Sequence, residues 1–155
     1  MPTVRLQISP TPAHVRTARL VATAVARRGG VADGALDEIR FAVGEACARA
    51  VDLHERHAPD QLVTMLLQDE GEFVVTVLDA APAGAETTQG DPLEELDRLY
   101  AQPGDGDGPM PAGFGLAVIG GLVDDLEISP IEGGRGTVVR MSWPLAGSAA
   151  AQDLT

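Results

Sequence analysis

The sequence has no lysine, a single cysteine and few aromatic residues, which make up 3% of the chain. Because all 11 cationic residues are arginine, chemistry that needs a lysine amine for a phosphate or a Schiff base is excluded. With one thiol, no intramolecular disulfide can form. Cys47 stands among apolar residues, which predicts a small core residue in a reducing compartment. No signal peptide or membrane span is evident in the sequence, so we expect a cytoplasmic protein.

The charge of the chain is strongly negative, with a formal net charge of -12. Binding to DNA, RNA or anionic lipid needs clustered positive charge that displaces counterions, so these partners are disfavoured. A charged protein partner should instead present a basic face. The 155 residues, 45% of them hydrophobic, are enough for one domain with a real core but not for two. We expect that domain to span residues 1–145.

Hydrophobic periodicity predicts an α/β domain. Alternating apolar residues predict a first strand at 4–8, and Thr11 with Pro12 offers a helix N-cap followed by an N1 proline. Apolar residues at three- and four-residue steps then predict two consecutive helices, and later apolar runs predict four strands, the first two joined by a hairpin turn. The expected helices are 14–28 and about 34–54, and the expected strands are 61–68, 72–79, 125–129 and 137–143.

The composition changes at residues 80–112, which are rich in glycine, proline and acidic residues. We predict a mobile, partly helical lid there, followed by an apolar helix that begins at Gly113. The Ala-rich stretch 146–155 is predicted to be a disordered tail. The lid's acidic side chains indicate either a solvated loop or a docking surface for a basic partner. They are Glu86, Asp91, Glu94, Glu95, Asp97, Asp105 and Asp107.

The second predicted helix contains the most informative motif, with Glu45 and Arg49 one turn apart and Ala50 after them. In the GHKL ATPase superfamily the corresponding pattern is Glu-x-x-x-Asn, followed by Ala in the anti-sigma serine-kinase branch. In element order and in this motif, the chain resembles the RsbW-like anti-sigma factors of that superfamily over about residues 4–145. The other positions that carry the resemblance are Asp79 at a strand end, Gly113-Phe114-Gly115-Leu116 at a helix start, and Gly136-Thr137 at the entry to the last strand.

This resemblance implies a fold and a set of roles. The fold is the two-layer α/β sandwich of the GHKL (Bergerat) type, with a mixed, mostly antiparallel sheet covered on one face by helices. Glu45 would be the catalytic base or water-orienting group, and Asp79 would accept a hydrogen bond from the adenine amino group. Gly113 and Gly115 would cradle phosphates at a helix N-terminus, and Thr137 would complete the nucleotide-binding set.

Two departures from the family pattern weaken the prediction that ATP and magnesium are cofactors. Arg49 stands where the family has its metal-binding Asn, and a guanidinium has only donors and a fixed positive charge. Ala81 and Ala83 replace glycines that permit close backbone approach to the base. We therefore predict no metal site and a degenerate nucleotide site.

Plainer interpretations stay open for each motif. Glu45 and Arg49 could form an i,i+4 helix ion pair without catalysis, and Asp79 could cap the turn after its strand. Gly113 and Gly115 could be a hinge and a helix start only. The histidines lack metal-ligand spacing, so His14, His54 and His57 are expected to have surface or packing roles. Met141 and Trp143, near the end of the last predicted strand, are expected to be core or edge residues rather than binding residues.

The resemblance favours a regulatory binding protein, a pseudokinase that binds a sigma factor and/or a STAS-type anti-anti-sigma factor, either alone or as a homodimer. One alternative is an active serine-protein kinase that phosphorylates an anti-anti-sigma factor, with Arg49 contacting phosphate. A second alternative is a nucleotide-free protein-interaction scaffold. The sequence contains no motif that names the partner.

Overall fold

The computed structural model of the protein describes residues 3–82, 123, 125–131 and 135–145. Within this part of the chain, two helices and five strands follow one another in the order β1, α1, α2, β2, β3, β4, β5. The helices are α1 (Ala13–Gly29) and α2 (Asp33–His57). The strands are β1 (Val4–Ile8), β2 (Val63–Gln68), β3 (Glu72–Leu78), β4 (Asp125–Pro130) and β5 (Thr137–Pro144).

The strands form one sheet in the order β1-β2-β3-β5-β4. Every pair of neighbours among these strands is antiparallel. In the centre of the sheet Val75 lies opposite Leu67 on one side and Met141 on the other. Because side chains alternate between the two faces of a strand, this register places three buried apolar residues side by side under the helices.

Both helices pack on the same face of the sheet, and the core lies between the two layers. Leu36, Ile39, Val43 and Cys47 follow one another along α2 at three- and four-residue steps, and all four are buried. They meet inward-facing strand residues of the central sheet, including Phe73, in one continuous hydrophobic cluster. The predicted two-layer α/β sandwich is confirmed, with antiparallel pairing throughout the described sheet.

The start of α1 differs in detail from the prediction. The helix begins at Ala13, with Pro12 in the N-cap place and no side-chain cap bond, so Thr11 caps only through its backbone carbonyl, which accepts from the His14 amide at 2.9 Å. The end of α1 at Gly29 lies one residue beyond the predicted bound. Gly30 has φ of 95° and its amide bonds to carbonyls of the last turn, an arrangement that favours glycine.

The last strand is anchored to both layers by an aromatic residue. Trp143 is buried, its ring lies 6.0 Å from that of Phe73, and its indole Nε1 donates to Glu38 Oε1 of α2 at 3.0 Å. The predicted packing role of Trp143 is confirmed, as is that of Met141, which is fully buried.

The free thiol of Cys47 has the burial predicted for it, and burial raises its pKa to about 12. Neither described helix is long and apolar enough to cross a membrane. The predicted lid beyond Pro82, the helix expected at Gly113 and the tail at 146–155 lie outside the described residues.

Candidate functional site

The chain leaves β3 at Asp79, and the carboxylate of this residue meets a side chain of α2. Arg49 Nη1 donates to Asp79 Oδ2 at 3.0 Å. The exposed fractions of the two side chains are 3% and 2%. Removing one member of such a buried pair leaves an uncompensated charge and costs about 3–5 kcal/mol. This contact therefore joins the helix layer to the end of the central strand.

The second oxygen of Asp79 is engaged by the backbone. Oδ1 accepts from the amide of Ala81 at 3.1 Å and from the amide of Thr137 at 3.3 Å, while the Asp79 amide donates to the Thr137 carbonyl at 3.1 Å. The carboxylate thus caps the turn after β3, as the plainer interpretation of this residue predicted. It also ties that turn to the first residue of β5.

The approach of β5 to Asp79 depends on a glycine. Gly136 has φ of 121°, and a Cβ built on it would lie 1.8 Å from the Asp79 carbonyl oxygen. Both the backbone angle and the lack of space exclude other residue types here. The Gly136-Thr137 pair of the sequence motif therefore has a structural reason that is independent of any ligand.

His54 of α2 holds the next residue of the same turn. Its Nε2 accepts from the Ala80 amide at 2.8 Å, and its Nδ1 lies 2.9 Å from the Gln61 carbonyl oxygen. Because Nε2 is the acceptor, Nδ1 carries the proton and donates. The ring is fully buried. The predicted packing role of His54 is confirmed, and its two hydrogen bonds join α2 to the segments that flank the β2–β3 hairpin.

Glu45 lies one helical turn before Arg49 and is half-buried. Desolvation raises its pKa above the ordinary value of 4.5, and the charge of Arg19 on α1 opposes that shift. The Arg19 side chain packs against α2 at Gly44, since a Cβ added to Gly44 would lie 2.8 Å from Arg19 Cδ. A half-buried carboxylate with a raised pKa is more basic than an exposed one, which suits a proton acceptor.

The predicted helix ion pair between Glu45 and Arg49 is wrong. In the described part of the chain Glu45 forms no ion pair, and Arg49 pairs with Asp79, 30 residues away. The reason is burial: a cation on the inner face of α2 is stabilised far more by an equally buried carboxylate than by a half-exposed one. The i,i+4 rule describes exposed helix surfaces, and Arg49 is not on one.

The structure brings some of the predicted site residues together. Arg49, Asp79 and Thr137 form one hydrogen-bonded cluster, and Glu45 lies on the same helix as Arg49. Gly113 and Gly115 lie outside the described residues. Sequence reasoning did not single out His54 as part of this cluster. No local pattern could have done so, because its partner amide at Ala80 is 26 positions away.

The residues at this site do not fit a magnesium nucleotide. Asp79 would have to accept an adenine amino group, yet three donors already lie on its two oxygens, and the base would compete with a guanidinium for Oδ2. Arg49 adds a fixed positive charge where a metal ligand would be needed. The described residues contain no group of three or more His, Cys, Asp or Glu that could hold a metal ion.

The two-layer sandwich with its five-stranded sheet is consistent with the GHKL-type fold. In agreement, the family of histidine kinase-like ATPase domains matches residues 8–143. The chain therefore belongs to the histidine kinase-like ATPase domain family. A comparison with curated proteins found no match.

Proposed function

We propose that the chain is an anti-sigma-factor-like regulatory protein of RsbW-like type in a partner-switching pathway, with degraded ATP chemistry. It would bind a sigma factor and/or a STAS-type anti-anti-sigma factor in the cytoplasm. The observation that carries this proposal is the buried bond between Arg49 and Asp79. Asp79 stands where the family resemblance implies nucleotide recognition, and here its carboxylate is bonded to α2 of the same chain. The domain would then use its fold to bind a protein partner and not to bind a nucleotide.

The charge of the chain supports a basic partner. The net charge of the chain is -12. The buried pair of Arg49 and Asp79 has one charge of each sign, so it adds nothing to that net charge. The excess negative charge is therefore available to the surface. A sigma factor is basic where it meets DNA, so an acidic domain that covers this surface would associate quickly and block promoter binding.

A direct test begins with capture of partners from a bacterial lysate, followed by binding kinetics with the purified candidate. Association with a sigma factor or STAS-type protein should slow as salt rises, because screening weakens steering. Changing Glu94, Glu95 and Asp97 to Gln, Gln and Asn should lower the on-rate. The matched control changes three acidic residues elsewhere, Glu55, Asp60 and Glu72, which are exposed in the structure, and removes the same charge.

Two results would count against the proposal. One is capture that returns neither a sigma factor nor a STAS-type protein, which would favour the nucleotide-free scaffold. The other is an on-rate that is insensitive to salt. If both triple variants slow association equally, total charge steers the partner and residues 94–97 are not a specific docking surface.

A second candidate function is an active serine-protein kinase, and one observation favours it. Glu45 is half-buried with a raised pKa, as a general base would be. The test is phosphate transfer from ATP to a STAS-type protein, with Glu45→Gln as the inactive control. Transfer by the wild type that Glu45→Gln abolishes would replace the pseudokinase proposal with the kinase.

A further inference from the structure

The bond between Arg49 and Asp79 has a consequence beyond the proposed function. The exit of β3 is held by two consecutive contacts from α2: Arg49 with the Asp79 carboxylate and His54 with the Ala80 amide. Ala81 follows, packed against Leu53 of the same helix in a small buried cluster. We call residues 79–81 with these three α2 side chains the β3 latch.

We propose that Arg49 takes the place of a ligand at this site: its guanidinium makes the bond to Asp79 that a nucleotide base would otherwise make, so the latch is closed in the absence of nucleotide. The bond satisfies the charge of both side chains in a place where neither reaches water. It also leaves Oδ1 free to accept the amides of Ala81 and Thr137. The latch is therefore complete within the chain.

The chemistry at Asp79 explains why Arg49 outcompetes a base. An adenine amino group is a neutral donor, whereas the guanidinium is a cationic donor whose hydrogen bond to the carboxylate also carries a direct attraction between opposite charges. Arg49 is also tethered, so it loses no translational freedom when it binds. A nucleotide would have to displace it and separate a buried cation from its buried carboxylate partner.

The first arm of the test measures stability without any ligand. Arg49→Met and Asp79→Asn should each lower the melting temperature of a chain of this size by about 6–20 °C, since each removes one partner of a buried ion pair. The double variant R49M/D79N removes both charges and should recover at least half of the summed loss. The matched control is Arg40→Met, because Arg40 pairs with Asp37 at the same 3.0 Å but with side chains 49% and 90% exposed. Its melting temperature should change by less than about 2 °C.

The second arm uses Mg·ADP and Mg·ATP as probes in calorimetry. The wild type should show no saturable binding at nucleotide concentrations up to about 1 mM, which corresponds to a binding free energy of only about -4 kcal/mol. Arg49→Asn removes the guanidinium from Asp79 Oδ2. The Kd of this variant for Mg·ADP should be at least about tenfold lower than that of the wild type. Adding Ala81→Gly should increase the gain, because glycine permits closer approach of the base.

The proposal is overturned by micromolar binding of Mg·ADP to the wild type, by an Arg49→Met loss no greater than that of Arg40→Met, or by Arg49→Asn that folds and gains nothing. If Arg49→Asn does not fold, the double-variant cycle decides: strict additivity of the two single losses refutes the latch. None of these measurements uses a protein partner. Micromolar binding of Mg·ADP to the wild type would also remove degraded ATP chemistry from the proposed function, but partner capture is measured independently of it. Failure to find a partner leaves the latch standing.

Discussion

Replacement of Gly136 by alanine tests the junction between β3 and β5 most directly. An added Cβ would lie 1.8 Å from the Asp79 carbonyl oxygen and 3.0 Å from Ile131 Cδ1. Carbon and oxygen atoms in van der Waals contact lie more than about 3 Å apart, so the backbone of β5 must move away by roughly 1 Å or more. Packed interiors resist a movement of that size. The φ of 121° at this position adds strain of its own.

The cost can be worked from the bonds that the movement would break. The strain of a side chain at this backbone angle is about 1–3 kcal/mol. The Asp79 amide bond to the Thr137 carbonyl and the Thr137 amide bond to Asp79 Oδ1, 3.1 and 3.3 Å long, would be lost at about 0.5–1.5 kcal/mol each. We therefore expect Gly136→Ala to lower the free energy of unfolding by about 2–6 kcal/mol, measured by urea denaturation.

Two other glycines separate steric from conformational effects. Gly71 has φ of 74° but nothing within 4 Å of an added Cβ, so Gly71→Ala should cost only the left-handed backbone, about 1–2 kcal/mol. Gly34 lies in α2 with open space around it, and Gly34→Ala should be neutral or stabilise the helix by up to about 1 kcal/mol. Equal losses for Gly136→Ala and Gly71→Ala would refute the close approach of Gly136 to Asp79.

Three further predictions follow from buried groups on α2. Desolvation raises the pKa of Glu45, so the ionised carboxylate costs the folded wild type stability as pH rises above the ordinary value of 4.5. Glu45→Gln should therefore have a higher melting temperature than the wild type at pH 7, and the difference should close towards pH 4. A lower melting temperature of Glu45→Gln at pH 7 would show that attraction to Arg19 dominates. Cys47 should not react with Ellman's reagent in the native protein at pH 8 but should react fully in denaturant, whereas rapid native labelling would contradict its burial. His54→Phe leaves the Ala80 amide and the Gln61 carbonyl unpaired, so its urea midpoint should fall by the equivalent of about 2–4 kcal/mol, against almost no change for the exposed His57→Phe.

The fold could be predicted because its signals are local. Alternation in β1 and the three- and four-residue apolar steps of α2 each follow from burial of one face, and both elements lie within a few residues of their predicted bounds. The main differences occur at element ends. The cap of α1 illustrates the reason, since Thr11 uses its backbone carbonyl where its side chain was expected.

The site could be predicted only in part, because its defining bond is not local. The family resemblance identified Glu45, Arg49, Asp79 and Thr137 as candidates, but spacing within a helix led to the wrong partner for Arg49. The true partner depends on which face of α2 is buried and on where β3 ends. Both are consequences of the packing of α2 on the sheet, and single residues do not encode them.

The same contacts fix the exit of β3 from within the chain. Arg49 and His54 are five positions apart on α2, and they bond to the consecutive residues Asp79 and Ala80. One helix therefore fixes both the charge and the backbone direction of the chain as it leaves β3. A mutation at Arg49 should then affect stability first and partner affinity only through the position of residues beyond 82. Both effects can be measured on Arg49→Met, with affinity measured at temperatures below its melting transition. Lost stability with wild-type affinity supports the latch, whereas lost affinity with unchanged stability places Arg49 in the binding surface.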